Sequence, residues 1–409
     1  MMLKGRHLSL GIAFLMPQIA LPCHAQDSLS AYFAPRVSGD MRMRFQTLQR
    51  DDFNQDGQAL TLRFFGTLEF NLLQKTSFLA EIEGITALIG EYNDGTGNKP
   101  LLPVIPDPEG LELNRLQIIT EIVPKTRLTI GRQRLALDDW RFIGAFPFRQ
   151  NGQTIEAIRF ETTALGPGIL DFGYFNKVRR PLGEDNLNSV FTGDSFFSNY
   201  NLATLIGRVS LFHYATELET GPVGTLRQIE SSQTTGVRVL GRRDWENVSI
   251  AWEGSYAQQS DYSNNLNDYS ADYGLVEISI KPKAFTFKVR GEILGSDNGQ
   301  GLQTPLASLH RFQGFADKFL RTPDEGVRDY SIFAQYDFGS IGPFSEVNTF
   351  ARHHWFEADT DGRNYGRELN LSLRTKIHKR RFALEYADYK ADTFSNDTKA
   401  VFLTTEISF

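Results

Sequence analysis

Arginine recurs in this chain at positions where an apolar neighbour would be simpler. In RLTIGRQRLALDD, Arg127–Asp139, Arg132 and Arg134 share the parity of Leu128 and Ile130, and Arg149 lies just past the segment that follows. A guanidinium presents five donors in a rigid fork that matches carboxylates and phosphates. Arginines ringing a wet space therefore favour anions, whereas unpaired ones in a dry core would be among the costliest groups a fold can hold. Strand parity puts Arg42, Arg44, Arg63, Arg115, Arg159, Arg238, Lys288, Arg290 and Arg374 on polar faces, with Glu81, Glu83, Glu253 and Glu292 facing them. Each has two available roles: guiding an anion, or pairing with a carboxylate on the next strand and stiffening the wall. A second group, His310, Arg311, Asp317 and Lys318, lies in SLHRFQGFADKF, as a gate folded into a mouth or as a cap packed on its rim.

The elements that carry these residues read as strands. Apolar residues recur at every second position nearly throughout: Leu60, Leu62, Phe64, Leu68, Phe70 and Leu72 oppose Thr61, Arg63, Thr67, Glu69 and Asn71. Phe285, Phe287, Val289 and Ile293 likewise oppose Lys288, Arg290 and Glu292. The pattern predicts 18 strands, starting near Asp40, Leu60, Phe78, Asn114, Arg127, Gln153, Ile169, Tyr200, Val209, Thr234, Val248, Ala271, Phe285, Arg328, Ser345, Arg367, Arg381 and Lys399. Their connections alternate between short ones such as LQKTS, VPKTR and IHKRR and long ones at about 85–113, 135–152, 178–199 and 294–327. An even count with short turns on one side, long loops on the other and both ends on the short side predicts an all-β fold. It is a transmembrane antiparallel β-barrel with short periplasmic turns and long extracellular loops. The final strand, AVFLTTEISF, ends on an aromatic, Phe409, behind an alternating apolar face.

The N-terminus and the composition agree. Lys4, Arg6 and His7 precede an uncharged run to Leu21, and CHAQDS follows, which predicts a signal peptide over 1–25 and a single barrel domain over 26–409. Cleavage would remove the only cysteine, Cys23. Loss of Lys4 and Arg6 from 43 basic residues, against 49 acidic, would take the net charge from −6 to −8. No clustered basic surface points to nucleic acid, and no later segment reaches the roughly 18 apolar residues of a membrane helix. The expected location is the bacterial outer membrane, with its lipid as a partner.

A barrel makes Arg132 and Arg134 a specific problem. Strict alternation would send both into lipid, at about 2–4 kcal/mol each at mid-membrane. Either a bulge at Gly131 shifts the parity, which is the preferred reading, or both arginines sit near the outer rim.

Several stretches resemble the alginate-export family of bacterial outer-membrane porins: DPEGLELNRL (Asp107–Leu116), LTIGRQRLALDDWRFIG (Leu128–Gly144), RQNGQT (Arg149–Thr154), QTPLASLHRFQGFADKFL (Gln303–Leu320) and YADYKADTFSNDT (Tyr386–Thr398). The resemblance implies a monomeric 18-stranded barrel whose charged lumen is narrowed by inward-folded loops, with Arg132 and Arg134 near the constriction. It does not imply alginate as the solute.

The sequence thus predicts a channel for anionic or polyhydroxylated solutes, such as uronates, oligosaccharides or organic acids, and no catalyst or cofactor. A periplasmic partner would accompany export. A barrel hydrolase is the alternative, but no G-x-S-x-G elbow is present. A structural barrel plugged by its loops is the other. DFNQDG (Asp52–Gly57) lacks the acidic twelfth position of a calcium loop, where Arg63 stands, and His353 and His354 are adjacent on a strand and point apart.

Overall fold

In the computed structural model, residues 34–121, 123–220 and 228–409 are described, so the predicted leader lies outside them. Eighteen long strands follow one another: β1 (Arg36–Arg50), β2 (Gly57–Leu73), β3 (Thr76–Glu91), β4 (Gly110–Thr120), β5 (Thr126–Gln133) and β6 (Thr154–Thr162). Next come β7 (Ile169–Arg179), β8 (Val190–Thr204), β9 (Gly207–Thr216), β10 (Ser232–Asp244), β11 (Val248–Asp261) and β12 (Ser270–Pro282). The last six are β13 (Phe285–Leu294), β14 (Val327–Ile341), β15 (Phe344–Glu357), β16 (Asn364–Ile377), β17 (Arg380–Ala391) and β18 (Thr398–Ser408). Every strand pairs antiparallel with its sequence neighbours. β18 closes the sheet on β1 in a ladder from Asp40–Ser408 to Arg50–Thr398. Closure leaves no open edge, which is the condition for a sheet to cross a membrane. The chain ends at the seam, where Gly39 and Phe409 exchange two backbone hydrogen bonds of 2.8 and 2.9 Å.

The outer face carries the apolar set that alternation predicted. Phe64, Leu68, Ile118, Ile130, Ile158, Val276, Ile278, Val289, Ile332, Leu371, Leu373, Leu384 and Leu403 are all exposed outward, at strand positions whose immediate neighbours point inward. Water would penalise such a belt and lipid does not. The inner face is polar: Arg42, Arg44, Gln46, Thr61, Arg63, Glu81, Glu83, Gln117, Arg238, Glu292, Ser331, Asn370 and Ser372 are buried there.

Two long connections turn inward rather than standing off the rim. Residues 134–153, between β5 and β6, and residues 295–326, between β13 and β14, meet in a parallel bridge at Ile143 and Leu306. Gly144 N donates to Leu306 O at 2.8 Å and Ser308 N to Trp140 O at 3.0 Å. Aromatic packing seats both on the inner wall: Phe142 lies against Phe212, Tyr214 and Tyr273, and Phe319 against Phe356, Tyr365, Tyr389 and Phe394. Strand ends differ most from expectation in two places. β8 begins at Val190 rather than near Tyr200, so that connection is 180–189 instead of 178–199; the mixed run VFTGDSFF has too irregular an alternation to mark a strand by pattern. β3 similarly extends to Glu91, which shortens the following loop to 92–109.

Gly131 adopts φ 114°, yet the pairing of β5 with β4 and β6 runs through it without a register shift. A Cβ at this position would overlap the Leu116 carbonyl. Gly131→Ala should therefore destabilise the barrel by about 1–3 kcal/mol, the range for a strained backbone position. A lowered midpoint of heat-induced mobility shift in detergent would register it. Gly254→Ala, where a Cβ would meet nothing, should leave that midpoint unchanged.

Candidate functional site

The inward loops leave a cavity of about 870 Å³ inside the barrel. Its lining runs from Arg180, Pro181 and Arg321 in the outer loops down to Lys288 and Arg374 on the periplasmic halves of β13 and β16. Where the two loops meet, Phe148, Arg149, His310 and Asp317 border it. Arg42 donates to the carbonyls of Pro147, Phe148 and Arg149 at 2.8, 3.2 and 3.3 Å and so draws residues 134–153 toward β1. Carboxylates hold loop backbone from the other sides: Asp107 accepts from Gln150 N at 3.1 Å, Glu83 from Gly152 N at 3.1 Å and Glu368 from Ala316 N at 2.9 Å. Beneath these, Glu292 is wholly buried and accepts from Tyr273 Oη at 2.8 Å and Gln313 Nε2 at 2.6 Å. Arg141 Nε lies 2.9 Å from it. A buried carboxylate is tolerable when it is satisfied in this way.

The two loops are latched to each other by side chains. Arg149 meets Asp317 at 2.5 Å, and His310 Nδ1 lies 2.9 Å from the other Asp317 oxygen. The His310 ring is sandwiched between Phe148, at 3.3 Å between centroids, and Phe315, at 4.9 Å. Burial pushes the Asp317 carboxyl up, but the charges of His310 and Arg149 outweigh it and hold the group below the usual carboxylate range. Lys318, one residue on, is pushed down to about 8 by burial and then by Arg50, with its ammonium 5.5 Å from the Tyr389 ring centre. Arg311 is exposed and stacks over Trp140 at 5.2 Å.

The two arginines of the β5 segment part company. Arg132 does not line the lumen: with no shift at Gly131 it keeps the outward parity of Ile130, at the extracellular end of β5. There it pairs with Glu156 at 3.2 Å, which Arg179 also meets at 3.3 Å. The rim, where the lipid penalty falls, makes this tolerable, and the bulge expected at Gly131 is not present. Arg134 escapes differently. The strand ends at Gln133, and the chain swings Arg134 inside to Glu81 at 2.7 Å and over Phe65 at 4.8 Å.

The remaining inward charges separate into two sets. Arg63 pairs with Asp40, Arg115 and Arg134 with Glu81, Arg159 with Asp171 at 2.6 Å and Arg238 with Glu253 at 2.8 Å. These arginines, with Glu81, Glu83 and Glu292, lie on the inner wall but do not border the cavity, and neither does Lys318. Arg149, Lys288, Arg290, Arg374, Glu253, His310, Arg311 and Asp317 do border it. Lys288 pairs with Glu277 at 2.8 Å, Arg290 with Glu292 at 3.3 Å and Arg374 with Glu385 at 2.7 Å.

Three cavity arginines escaped the sequence reading: Arg180 and Arg321 in the outer loops and Arg352 on the wall. Arg352 on β15 donates only to Ser331 Oγ, at 3.0 and 3.2 Å, and has no carboxylate at ion-pair distance among the described residues. Phe333, Phe350 and Phe315 border the cavity with it. So does His354, whose Nδ1 is held by Asp329 at 2.8 Å. The alternation of Phe350, Arg352 and His354 against Ala351, His353 and Trp355 could have placed it, but aromatic and charged residues share both faces there. Arg141 gave no periodic signal, since it lies in a loop.

The architecture, an 18-strand closed barrel with an apolar belt outside, is that of an outer-membrane β-barrel protein. Among solved structures it is similar to OpdO from Pseudomonas aeruginosa, with a TM-score of 0.69 at 12% identity over 92% of this chain and 97% of that one. It is also similar to the outer membrane protein OpdK from Pseudomonas aeruginosa, with TM-score 0.67, 14% identity and coverage of 91% and 98%. OccAB4 from Acinetobacter baumannii matches at TM-score 0.69 and 14% identity, over 92% and 98%. No family model matches the sequence, and no curated protein does. The resemblance to the alginate-export family therefore gains no support beyond the porin-type barrel itself.

Removing one member of a buried pair costs about 3–5 kcal/mol. Asp317→Asn should therefore unlatch the loops and raise single-channel conductance at neutral pH, measured in planar bilayers. In the parent chain the Asp317 carboxyl is depressed, so its contribution is full above the ordinary value near 4 and lost only as pH falls through the lower folded value. Conductance should stay level from pH 7 to pH 5 and rise only below about pH 4.

Proposed function

We propose that this chain is an outer-membrane channel for small organic anions, acting as a monomer and exported by way of the leader over 1–25. The observation that carries the reading is Arg352, a cavity-lining guanidinium with no carboxylate partner among the described residues and phenylalanines around it. A group so placed has donors to offer a passing solute. Of the other cavity cations, Arg311 stacks over Trp140, while Arg149, Lys288, Arg290 and Arg374 are already paired. They set the local field rather than offer a free fork.

The aromatic surround favours a carboxylate on a flat or compact apolar body over a long, uniformly polar chain. Support by likeness comes from a solved structure of OpdK with vanillate, which matches at TM-score 0.66 and 14% identity. Passage rather than turnover is the simplest use of this geometry: the cavity is open toward the outer loops and its polar groups hold one another in pairs. A uronate or another hydroxylated acid remains within the same class of solute. Transport of this kind needs no cofactor.

Reversal potential across a salt gradient in planar bilayers tests the reading. The parent channel should prefer anions, and Arg352→Ala should shift the reversal potential toward cations, with a severalfold loss in benzoate flux. Arg132→Ala, on the outer face, should change neither. Cation preference in the parent channel would sink the proposal.

A further inference from the structure

The outer face of the barrel carries a second, unrelated basic site. On β16, β17 and β18, near their extracellular ends, Arg367, Lys390 and Lys399 all point outward: Arg367 and Lys399 are flanked in sequence by buried neighbours, and Lys390 by buried Tyr389 and half-buried Ala391. Arg367 and Lys390 are directly opposite each other in the β16–β17 ladder. Like charges in that relation repel, and sheets normally avoid it. Lys390 is compensated: Asp397 lies 2.8 Å away and Asp388 3.8 Å away. Arg367 and Lys399 are both exposed and have no carboxylate at ion-pair distance among the described residues, although Asp388 is opposite Lys399 in the β17–β18 ladder.

Aromatic residues accompany the cations on the same face. Trp355 is directly opposite Arg367 across β15 and β16, and Tyr330 is opposite Trp355 across β14 and β15. Both rings are 42% exposed, and His353 packs on Trp355 at 4.4 Å. Tyr386 lies lower on β17, opposite Leu371. Indole and phenol rings facing lipid sit at headgroup depth, so this row marks the outer interface and puts the cations at or just above it. Uncompensated cations facing hydrocarbon would be costly, whereas at the interface they meet phosphates.

We infer that Arg367 and Lys399, with Lys390 between them, form a binding site for the phosphate of an outer-leaflet lipid headgroup. Arg367 provides a fork suited to two phosphate oxygens, and Lys399 a point charge on the far side of Lys390. The site is independent of the lumen and rests only on the barrel's crossing the outer membrane. Lipid phosphate would then offset the charges of Arg367 and Lys399, which have no carboxylate at ion-pair distance among the described residues.

The test is native mass spectrometry of the folded full chain in detergent, titrated with bisphosphorylated lipid A, with the same glycolipid stripped of phosphate, and with inorganic phosphate. The parent should retain the bisphosphorylated lipid in preference to the stripped one. R367Q/K399Q should weaken that binding about thirtyfold, as expected for two cations beside an anionic headgroup. R367K/K399R, which keeps the charges, should retain most of it and guards against misfolding of the neutral variant. Lys177→Gln, on the far side of the barrel, should have no effect. Equal binding of both glycolipids, or undiminished binding by R367Q/K399Q, overturns the site. Displacement of the lipid by millimolar inorganic phosphate would assign the cations to a free anion instead and overturn the lipid assignment. Channel conductance is unaffected in each case, so failure here is separable from failure of the transport reading.

Discussion

A sheet that crosses lipid has no water to satisfy its edges, and the pairing of β18 with β1 from Asp40–Ser408 to Arg50–Thr398 removes them. The rest follows from that closure. Eighteen strands enclose a space wider than wall side chains alone can fill, so the interior must hold water, loops or both. Here it holds both. Residues 134–153 and 295–326 are drawn in, and what they leave is a cavity bordered by Arg149, Arg290 and Arg352.

Bringing loops into a barrel exposes them to the usual difficulty of buried backbone, whose polar groups need partners. The wall, with Asp107 of the β3–β4 loop, provides them with charged groups rather than with further sheet. Arg42 serves three loop carbonyls, while Asp107, Glu83 and Glu368 each take a loop N–H. Many of the inward charges that look like a selectivity device therefore have a structural use first. Arg63, Arg115, Arg159 and Arg238 are occupied in the same sense, by carboxylates on neighbouring strands. Other charges border open space, and among them Arg352 donates to a hydroxyl, Ser331 Oγ, rather than to a carboxylate.

The two faces of the wall handle charge by different rules. Inside, a guanidinium is kept by pairing. Outside, it is kept by height: Arg132 and Arg367 are both near extracellular strand ends, where the membrane interface begins. Arg132 has Glu156 beside it and Arg367 has no acid at ion-pair distance among the described residues, so equal positions in the pattern lead to different chemistry.

Sequence alone determined the strand count, the alternation of short turns with long loops and the inward parity of residues such as Arg63, Glu81 and Arg290. These depend on a period of two and on turn length, which are local properties. It did not determine which inward charges border the cavity, because that depends on which strand neighbours are close enough to pair and on how far two loops reach inward. It also misjudged Arg132, expecting a bulge at Gly131. A positive φ at a glycine can be absorbed within an unbroken ladder, and only the pairing partners on β4 and β6 reveal that it was. Arg134 shows the same limit. Its parity matched that of Arg132, but the sheet stops at Gln133, and where a strand ends is decided by the neighbours it has left to pair with.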